Sequence, residues 1–155
     1  MGTVFRMGRP RGFDEQAVTA AAAAMFAGCA YDGLSVDDLV QQLGVHRNSL
    51  YKTFGSKRGL YLAALRWYRQ HELVPVAERL AACADVAEVV TVARQDRGLD
   101  LLLLAAVERA PFDTEVAEAV GEAFALLREA LPDAPSELVS TLLGERLRAR
   151  SLSTV

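Results

Sequence analysis

The sequence predicts an all-α protein. Apolar residues recur at intervals of three and four over most of the 155-residue chain. Helix-capping Asp and Ser residues, together with Gly and Pro, divide this pattern into segments, and we find no stretch that alternates apolar and polar side chains as a strand does. The composition, 52% hydrophobic and 24% charged, is that of a folded chain with one domain or two small ones.

The first predicted helix begins after Asp14, whose carboxylate can cap the helix, and ends before Asp32-Gly33. Spacings of three and four residues place its apolar side chains on one face. These side chains are Val18, Ala22, Met25, Phe26 and Cys29.

Two short helices are predicted next. Ser35 can cap the first of them, with Asp38 as its partner in a capping box, and Gly44 ends it. The second covers about residues 47–54 and ends at Gly55. Two short helices joined by a tight turn at a glycine form a helix-turn-helix, in which the second helix enters the major groove of DNA.

The polar side of that second helix has the chemistry for DNA contact. All of its side chains can form hydrogen bonds with base edges or phosphates, and none is acidic. They are Arg47, Asn48, Ser49, Lys52 and Thr53.

The remaining helices have weaker boundaries. Ser56 can cap a longer fourth helix, and Pro75 starts or kinks the next. Gly98 and Pro111 flank an apolar run, and residues 132–135 separate two last helices. The apolar residues of these last two helices include Val116, Val120, Ala123, Phe124, Leu127, Leu131, Leu138, Val139, Leu142, Leu143 and Leu147.

Charge is distributed unevenly along the chain. Residues 1–70 carry nine Lys and Arg against five Asp and Glu, a balance of +4. Residues 71–155 carry eight and fifteen, a balance of −7, and the whole chain is at −3. A basic first half predicts a polyanionic partner for that half. The longest uncharged stretch, Gln16 to Tyr31, is shorter than the ~20 residues of a transmembrane helix. We therefore expect no membrane partner and a cytoplasmic protein associated with the nucleoid.

Several segments together resemble one known family. They are Gly8-Arg9-Pro10-Arg11, Met25-Phe26, the stretch from Tyr31 to Leu39 and the stretch from Leu43 to Lys57. Residues 8 to about 70 are similar to the TetR/AcrR family of bacterial transcriptional regulators. The resemblance covers roughly two-fifths of the chain, and the combination of motifs is highly specific.

The resemblance implies a domain organisation. A basic arm over residues 1–12 precedes a three-helix helix-turn-helix domain over residues 13–58. A small helical dimerisation domain, which is also a possible effector-binding domain, follows over residues 59–155.

The resemblance also implies which residues contact DNA. Residues 47–49 would begin the recognition helix, Tyr51 and Lys52 would contact phosphate or base, and Lys57 would hold a phosphate from the start of the fourth helix. The full implied set is Arg9, Arg11, Ser35, Val36, His46, Arg47, Asn48, Ser49, Tyr51, Lys52, Thr53 and Lys57.

The basic segment from Arg6 to Arg11 has two interpretations. As an arm, it would reach into a minor groove, where narrow A·T tracts attract arginine. Basic N-terminal tails are also common as disordered segments without a partner.

In the family, the second half binds a small effector and forms the dimer. Three residues, Trp67, Tyr68 and His71, lie where the fourth helix enters this half and are candidates for an effector pocket, with core packing as the alternative. This half is short for the family, which argues against a large pocket. Pairing of the helices over about residues 114–131 and 136–151 with those of a second copy would give a four-helix bundle. The candidate interface residues are Val120, Phe124, Leu127, Leu138, Leu142 and Leu143, with packing inside one subunit as the alternative.

No motif supports an enzyme, a metal site or a cofactor. Ser49-Leu50-Tyr51-Lys52 matches an S-x-x-K pattern but lies within the helix-turn-helix and lacks companion motifs. Pro75 stands where the second histidine of a zinc-binding H-E-x-x-H from His71 would be needed. Cys29 and Cys83 fit buried apolar positions better than redox sensors.

The sequence therefore predicts a sequence-specific DNA-binding transcriptional regulator. Its expected form is a homodimeric repressor on a palindromic operator in double-stranded DNA, released by an unknown small-molecule effector. The alternative is a helical DNA-binding or protein-interaction module without a functional effector pocket.

Overall fold

A computed structural model describes residues 13–152 of the chain and confirms the all-α prediction, since no strand occurs in this range. The α-helices in it are α1 (Glu15–Gly28), α2 (Val36–Leu43), α3 (Arg47–Phe54), α4 (Lys57–Tyr68), α5 (Val74–Ala81), α6 (Val86–Gln95), α7 (Asp100–Leu104), α8 (Thr114–Ala130) and α9 (Leu138–Leu152). We call α1–α3 the head and α5–α9 the body, with α4 between them.

Helices α1, α2 and α4 begin at the predicted capping residues. Asp14 accepts the backbone N–H groups of Gln16 and Ala17, Ser35 forms a capping box with Asp38, and the Ser56 hydroxyl accepts the Gly59 N–H. These caps satisfy N–H groups that have no partner within a helix.

Glycines end both short helices. Gly44 after α2 and Gly55 after α3 have φ of 65° and 76°, a region that favours glycine because it lacks a Cβ. The chain can therefore turn sharply at both points, which gives α2 and α3 the compact arrangement of a helix-turn-helix.

A wide turn connects α4 to α5. Residues 69–73 form a π-helical turn, so that the Val74 N–H bonds to the Arg69 carbonyl, and Pro75 follows in the first turn of α5. Proline has no N–H for the ordinary helical bond, and the wide turn occurs just before it. A second π-helical turn over residues 105–109 follows α7 and leads into a short 3₁₀ turn at Pro111.

One continuous core joins the head to the body. In the head, Phe26 and Leu50 are buried, and α1 lies along α4. In the body, α6 lies along α9, and α7 presents the buried Leu101 and Leu102 between α1 and α9. Because α4 packs against both α1 and α8, a displacement of α4 in the body would reach the head.

Five of the six candidate dimer residues lie in this core. Their exposed fractions are between 1% and 8% within a single chain, and they are Val120, Leu127, Leu138, Leu142 and Leu143. The expectation that these five form the dimer contact is therefore wrong. Packing inside one subunit already covers their surface, so they have none left for a partner. Phe124 is half-buried.

Within residues 13–152, no helix has the length and apolar character needed to cross a membrane.

Candidate nucleic-acid interface

The turn between α2 and α3 is fixed by local contacts. The Val45 N–H donates to the Val40 carbonyl at 3.2 Å, directly after Gly44. The buried side chains of Leu39 on α2 and Leu50 on α3 contribute to the core beneath the turn. These contacts point the opposite side of α3 toward solvent, where a major groove would meet it.

Five of the twelve predicted DNA contacts are exposed residues of α3. Arg47, Asn48, Tyr51, Lys52 and Thr53 are all exposed. Tyr51 is a large aromatic residue with 38% of its surface in solvent. Exposed residues at positions i, i+1, i+4 and i+5 share one helical face. The structure therefore brings Arg47, Asn48, Tyr51 and Lys52 together on one surface, which we call the reading surface, and Thr53 is exposed on an adjoining side of α3.

Two further predicted residues flank the reading surface. His46 is exposed just before α3, and its side chain makes no capping hydrogen bond to the helix. Ser49 is half-buried, so it is less accessible to DNA than its neighbours.

Arg47 has an acidic partner that the sequence analysis missed. Its guanidinium forms an ion pair with the carboxylate of Asp37 on α2, and both side chains are exposed. Asp37 also places a negative charge beside the reading surface. The Arg47 side chain must leave this carboxylate, or share it, when it meets a phosphate or a base.

Ser35 forms the capping box that the sequence predicts at the start of α2. Its hydroxyl donates to the Asp38 carboxylate at 2.5 Å and accepts the Asp38 N–H at 3.0 Å. The hydroxyl proton is therefore used within the capping box, and a hydrogen bond from this hydroxyl to a phosphate would require it to leave Asp38. The contact of Ser35 with DNA stays a prediction. Val36, half-buried in the first turn of α2, leaves its backbone N–H as a possible phosphate donor.

Lys57 is held beside the connection between α1 and α2. Its ammonium nitrogen lies 4.1 Å from the centre of the Tyr31 ring, and the Arg109 guanidinium carbon lies 4.5 Å from the same centre. The Tyr31 N–H donates to the Glu108 carboxylate at 3.2 Å. Burial raises the pKa of the Tyr31 phenol, which keeps the ring neutral next to both cations.

The next residue of α4, Arg58, contacts the segment before α8. Arg58 donates to both carboxylate oxygens of Asp113, at 2.7 and 2.8 Å, and to Glu115 at 2.9 Å. These hydrogen bonds lower the pKa of Asp113 to about 2. Asp113 also caps α8, since it accepts the Val116 N–H. Its pairing with Arg58, 55 residues away, has no local sequence signal.

The three effector-pocket candidates do not come together. Trp67 stacks on His71 with ring centres 4.6 Å apart, whereas Tyr68 is buried and its hydroxyl donates to the Gly98 carbonyl. A cavity of about 170 Å³ lies between α4, the turn after it, α7 and α8. Of the three candidates only Tyr68 lines it, and Trp67 and His71 lie outside this cavity.

Two predicted contacts, Arg9 and Arg11, lie outside the described residues, as does the rest of the predicted arm. In the described part of the chain, no group of three His, Cys, Asp or Glu residues is placed to hold a metal ion.

A short recognition helix with a polar exposed face, on a head that continues through α4 into a helical body, defines a helix-turn-helix protein. Comparison with known proteins agrees. A family model described as "Bacterial regulatory proteins, tetR family" matches residues 18–64, which include α2, α3 and most of α1 and α4.

Curated relatives are regulators of the same type. The chain is 35% identical over 122 residues to the uncharacterized HTH-type transcriptional regulator YezE of Bacillus subtilis, covering 72% of this chain and 62% of the relative. It is 37% identical over 81 residues to the HTH-type transcriptional repressor BdcR of Escherichia coli, covering 52% and 41%. The chain thus spans less than two thirds of the length of either relative.

Solved structures show the same fold. A cysteine mutant of the TetR family transcriptional regulator CifR, complexed with 26 bp double-strand operator DNA, superimposes with a TM-score of 0.69 at 25% identity, covering 94% of this chain and 92% of that one. A second CifR mutant complex with operator DNA gives a TM-score of 0.66 at 22% identity, covering 94% and 91%. The chain belongs to the TetR family of bacterial regulatory proteins.

Proposed function

We propose that this chain is a homodimeric transcriptional repressor that binds a palindromic operator in double-stranded DNA. The observation that carries the proposal is the reading surface, which gathers two cations, an amide and a phenol on one exposed side of α3. Such groups hydrogen-bond with base edges and phosphates. The operator complexes of CifR and the repressor name of BdcR support the same function. Its place of action would be the cytoplasm, at the nucleoid.

We assign the contacts by chemistry. Arg47 and Asn48 can form bidentate hydrogen bonds with guanine and adenine respectively, so they are proposed to read bases. Tyr51, Lys52 and Lys57 are proposed to hold phosphates, which fixes the register of α3 in the groove. Arg47, Asn48, Tyr51 and Lys52 lie on the reading surface, so one docking position can satisfy these four together, and Lys57 would reach a phosphate from the start of α4.

Dimerisation is proposed because one eight-residue recognition helix reads only a few base pairs. Two copies related by a two-fold axis would read half-sites about 34–36 Å apart, or a multiple of that distance. With the apolar stripe of α9 buried, the contact would use the other side of the helix. Leu147, 48% exposed, and the open position at Gly144 lie on that side.

Relief by a small molecule is proposed at the cavity between α4 and α8. Arg69 and Glu122, which form an ion pair, are among its lining residues, together with Tyr68. A ligand that separated α4 from α8 would alter the position of the head, because α4 also packs on α1.

The cavity volume favours a second candidate function, a DNA-binding or interaction module without effector control. The cavity measures about 170 Å³, and a more open pocket near Cys83 and Pro132 measures about 280 Å³. Both are below the ~300 Å³ at which typical ligand pockets begin.

The experiment is to recover fragments of genomic DNA from the source organism on the purified protein at two salt concentrations and to sequence them. A palindrome enriched at both salts supports the proposal. Retention only at low salt, without a shared sequence, would indicate backbone attraction alone and would contradict it.

Variants test the assigned residues. We expect Tyr51→Ala and Lys52→Ala each to abolish operator binding while the dimer remains intact by light scattering. Arg128→Ala, which removes an exposed charge from α8, is the matched control and should bind as the parent does. Retained binding in both head variants would refute the assignment.

A further inference from the structure

A polar cluster centred on Asp100 lies where α1, α6, α7 and α9 meet. Asp100 is only 4% exposed and accepts two hydrogen bonds from Arg146, at 2.6 and 2.9 Å. The Arg150 guanidinium forms an ion pair with the same carboxylate at 3.0 Å. Because Arg146 and Arg150 are four residues apart on α9, they lie on one side of it and reach the same carboxylate.

Each of these arginines also binds the C-terminal end of another helix. Arg146 donates to the Arg94 carbonyl in the last turn of α6 at 2.9 Å. Arg150 donates to the carbonyls of Ala27 at 2.8 Å and Gly28 at 3.2 Å, the last two residues of α1. Carbonyls in the last turn of a helix lack partners within it and carry a partial negative charge, so a guanidinium is favourable there.

The head is therefore attached to the body at a second place. The first attachment is made by Tyr31, which bonds to Glu108, and by the neighbouring pair of Arg58 and Asp113 at the start of α4. The second is made by Arg150 at the end of α1. Apolar packing of α1 on α7 has no directional preference, whereas these hydrogen bonds fix the direction in which α1 leaves the body.

We propose that Arg150 is a positioning residue for DNA recognition. By holding the C-terminal end of α1, it sets the orientation of the head relative to the body. In the homodimer proposed above, this orientation determines the separation of the two recognition helices. Arg150 would then also determine which spacing of half-sites the protein accepts, and this second consequence alone rests on the proposed function.

The first test needs neither DNA nor a dimer. Paramagnetic labels are attached at Gln42→Cys in the head and Glu129→Cys in the body, in a chain whose native cysteines are replaced by serine. Both label sites are exposed. The labelled chain is mixed with an excess of unlabelled chain, so that the measured distances lie within one molecule.

We expect Arg150→Ala to broaden or shift the distance distribution, and Arg150→Lys to restore it in part, since lysine keeps the charge but loses the paired donors. The matched control is Arg148→Ala on the same helix, whose exposed side chain makes no hydrogen bond or ion pair with residues 13–152. It should leave the distribution unchanged. A distribution in Arg150→Ala identical to that of the parent would overturn the proposal.

The second test uses synthetic duplexes that carry the palindrome selected by the parent chain, with one or two base pairs added or removed at the centre. We expect Arg150→Ala to lose about fivefold or more of the parent's preference for the selected spacing. A loss of folded protein would weaken binding to all duplexes equally and leave that preference intact, which would contradict the positioning role. If the parent selects no palindrome, the proposed function fails, and the label distances still decide the role of Arg150.

Discussion

Asp37 is the residue beside the reading surface whose charge opposes DNA. Its carboxylate is exposed and paired with Arg47, so that DNA must compete with it for the guanidinium and also approach a negative charge. An exposed ion pair contributes little to stability, so its removal should not unfold the head. The residue therefore affects affinity more than structure.

We predict that Asp37→Asn strengthens binding to DNA by about twofold to fivefold at low salt, because one repulsive charge is removed and Arg47 is released. Fluorescence anisotropy with a labelled duplex at several salt concentrations measures the change. Glu129→Gln, which neutralises an exposed carboxylate on α8, is the control. Unchanged affinity in Asp37→Asn would mean that DNA leaves the ion pair in place.

Asp113 makes the stability of the folded protein depend on pH in the acid range. Its pKa in the folded protein is about 2, below its ordinary value of 3.8, because Arg58 donates hydrogen bonds to the ionised form. A carboxyl whose pKa is lowered by folding adds stability above its unfolded pKa, and that stability is lost as the pH falls through the folded value. The relevant window is therefore from about pH 4 down to about pH 2.

We predict that Asp113→Asn is less stable than the parent at pH 7 and that the difference shrinks between pH 4 and pH 2. Asparagine still caps α8, so the substitution removes the charge while keeping the cap. Urea unfolding followed by circular dichroism at several pH values tests this. A difference that stays constant over that range would show that the Arg58 pair adds nothing to stability.

At the scale of the element, α3 and α4 touch at a glycine. A Cβ built at Gly59 would lie 1.8 Å from the Phe54 carbonyl oxygen, which belongs to the last residue of α3. The close approach of backbone to backbone leaves no room for any side chain. The recognition helix and the start of α4 therefore keep a fixed distance from each other.

We predict that Gly59→Ala separates α3 from α4, lowers the free energy of unfolding by about 2 kcal/mol or more and weakens DNA binding. Gly121→Ala, at an open position within α8, is the matched control. It should raise the free energy of unfolding by about 0.5–1 kcal/mol, because alanine is the better helix former. Chemical denaturation measures both, and an equally stable Gly59→Ala would contradict the contact.

At the scale of the whole molecule, Asp100 balances the two arginines that α9 directs inward. We predict that Asp100→Ala lowers the free energy of unfolding by about 3–5 kcal/mol, because Arg146 is left buried without a counter-charge. Arg79→Ala, which breaks the more exposed pair with Asp96, should cost at most about 1 kcal/mol. Thermal and urea unfolding distinguish the two, and similar losses would contradict the central role of Asp100.

The local features of the molecule were predictable from sequence, and the long-range ones were not. Asp14, Ser35, Gly44 and Gly55 are signals within a few residues of the helix ends that they determine, so the head follows from them. The pair of Asp100 and Arg146 joins residues 46 apart, and only the packing of α7 against α9 brings them together.

The predicted dimer contact was wrong at five residues for a related reason. Helical periodicity identified the apolar side of α8 and α9 correctly, but it cannot say what covers that side. In the structure, Val120 and Leu142 are covered by the same chain. The exposure of the predicted contacts on α3 could be predicted because it follows from a short helix with a single apolar side. Ser35 was predicted both to cap α2 and to contact DNA, and the structure shows the cap.

The contact at Gly59 also affects which positions a genetic screen of this protein would recover. If the chain is the repressor proposed above, a screen of random substitutions for loss of repression should recover changes at Gly59 as well as changes at Tyr51 and Lys52. Position 59 carries no side chain to meet DNA, yet nearly every replacement there would displace the helix that does. The set of positions a geneticist would map as essential for operator binding is therefore larger than the surface that DNA touches.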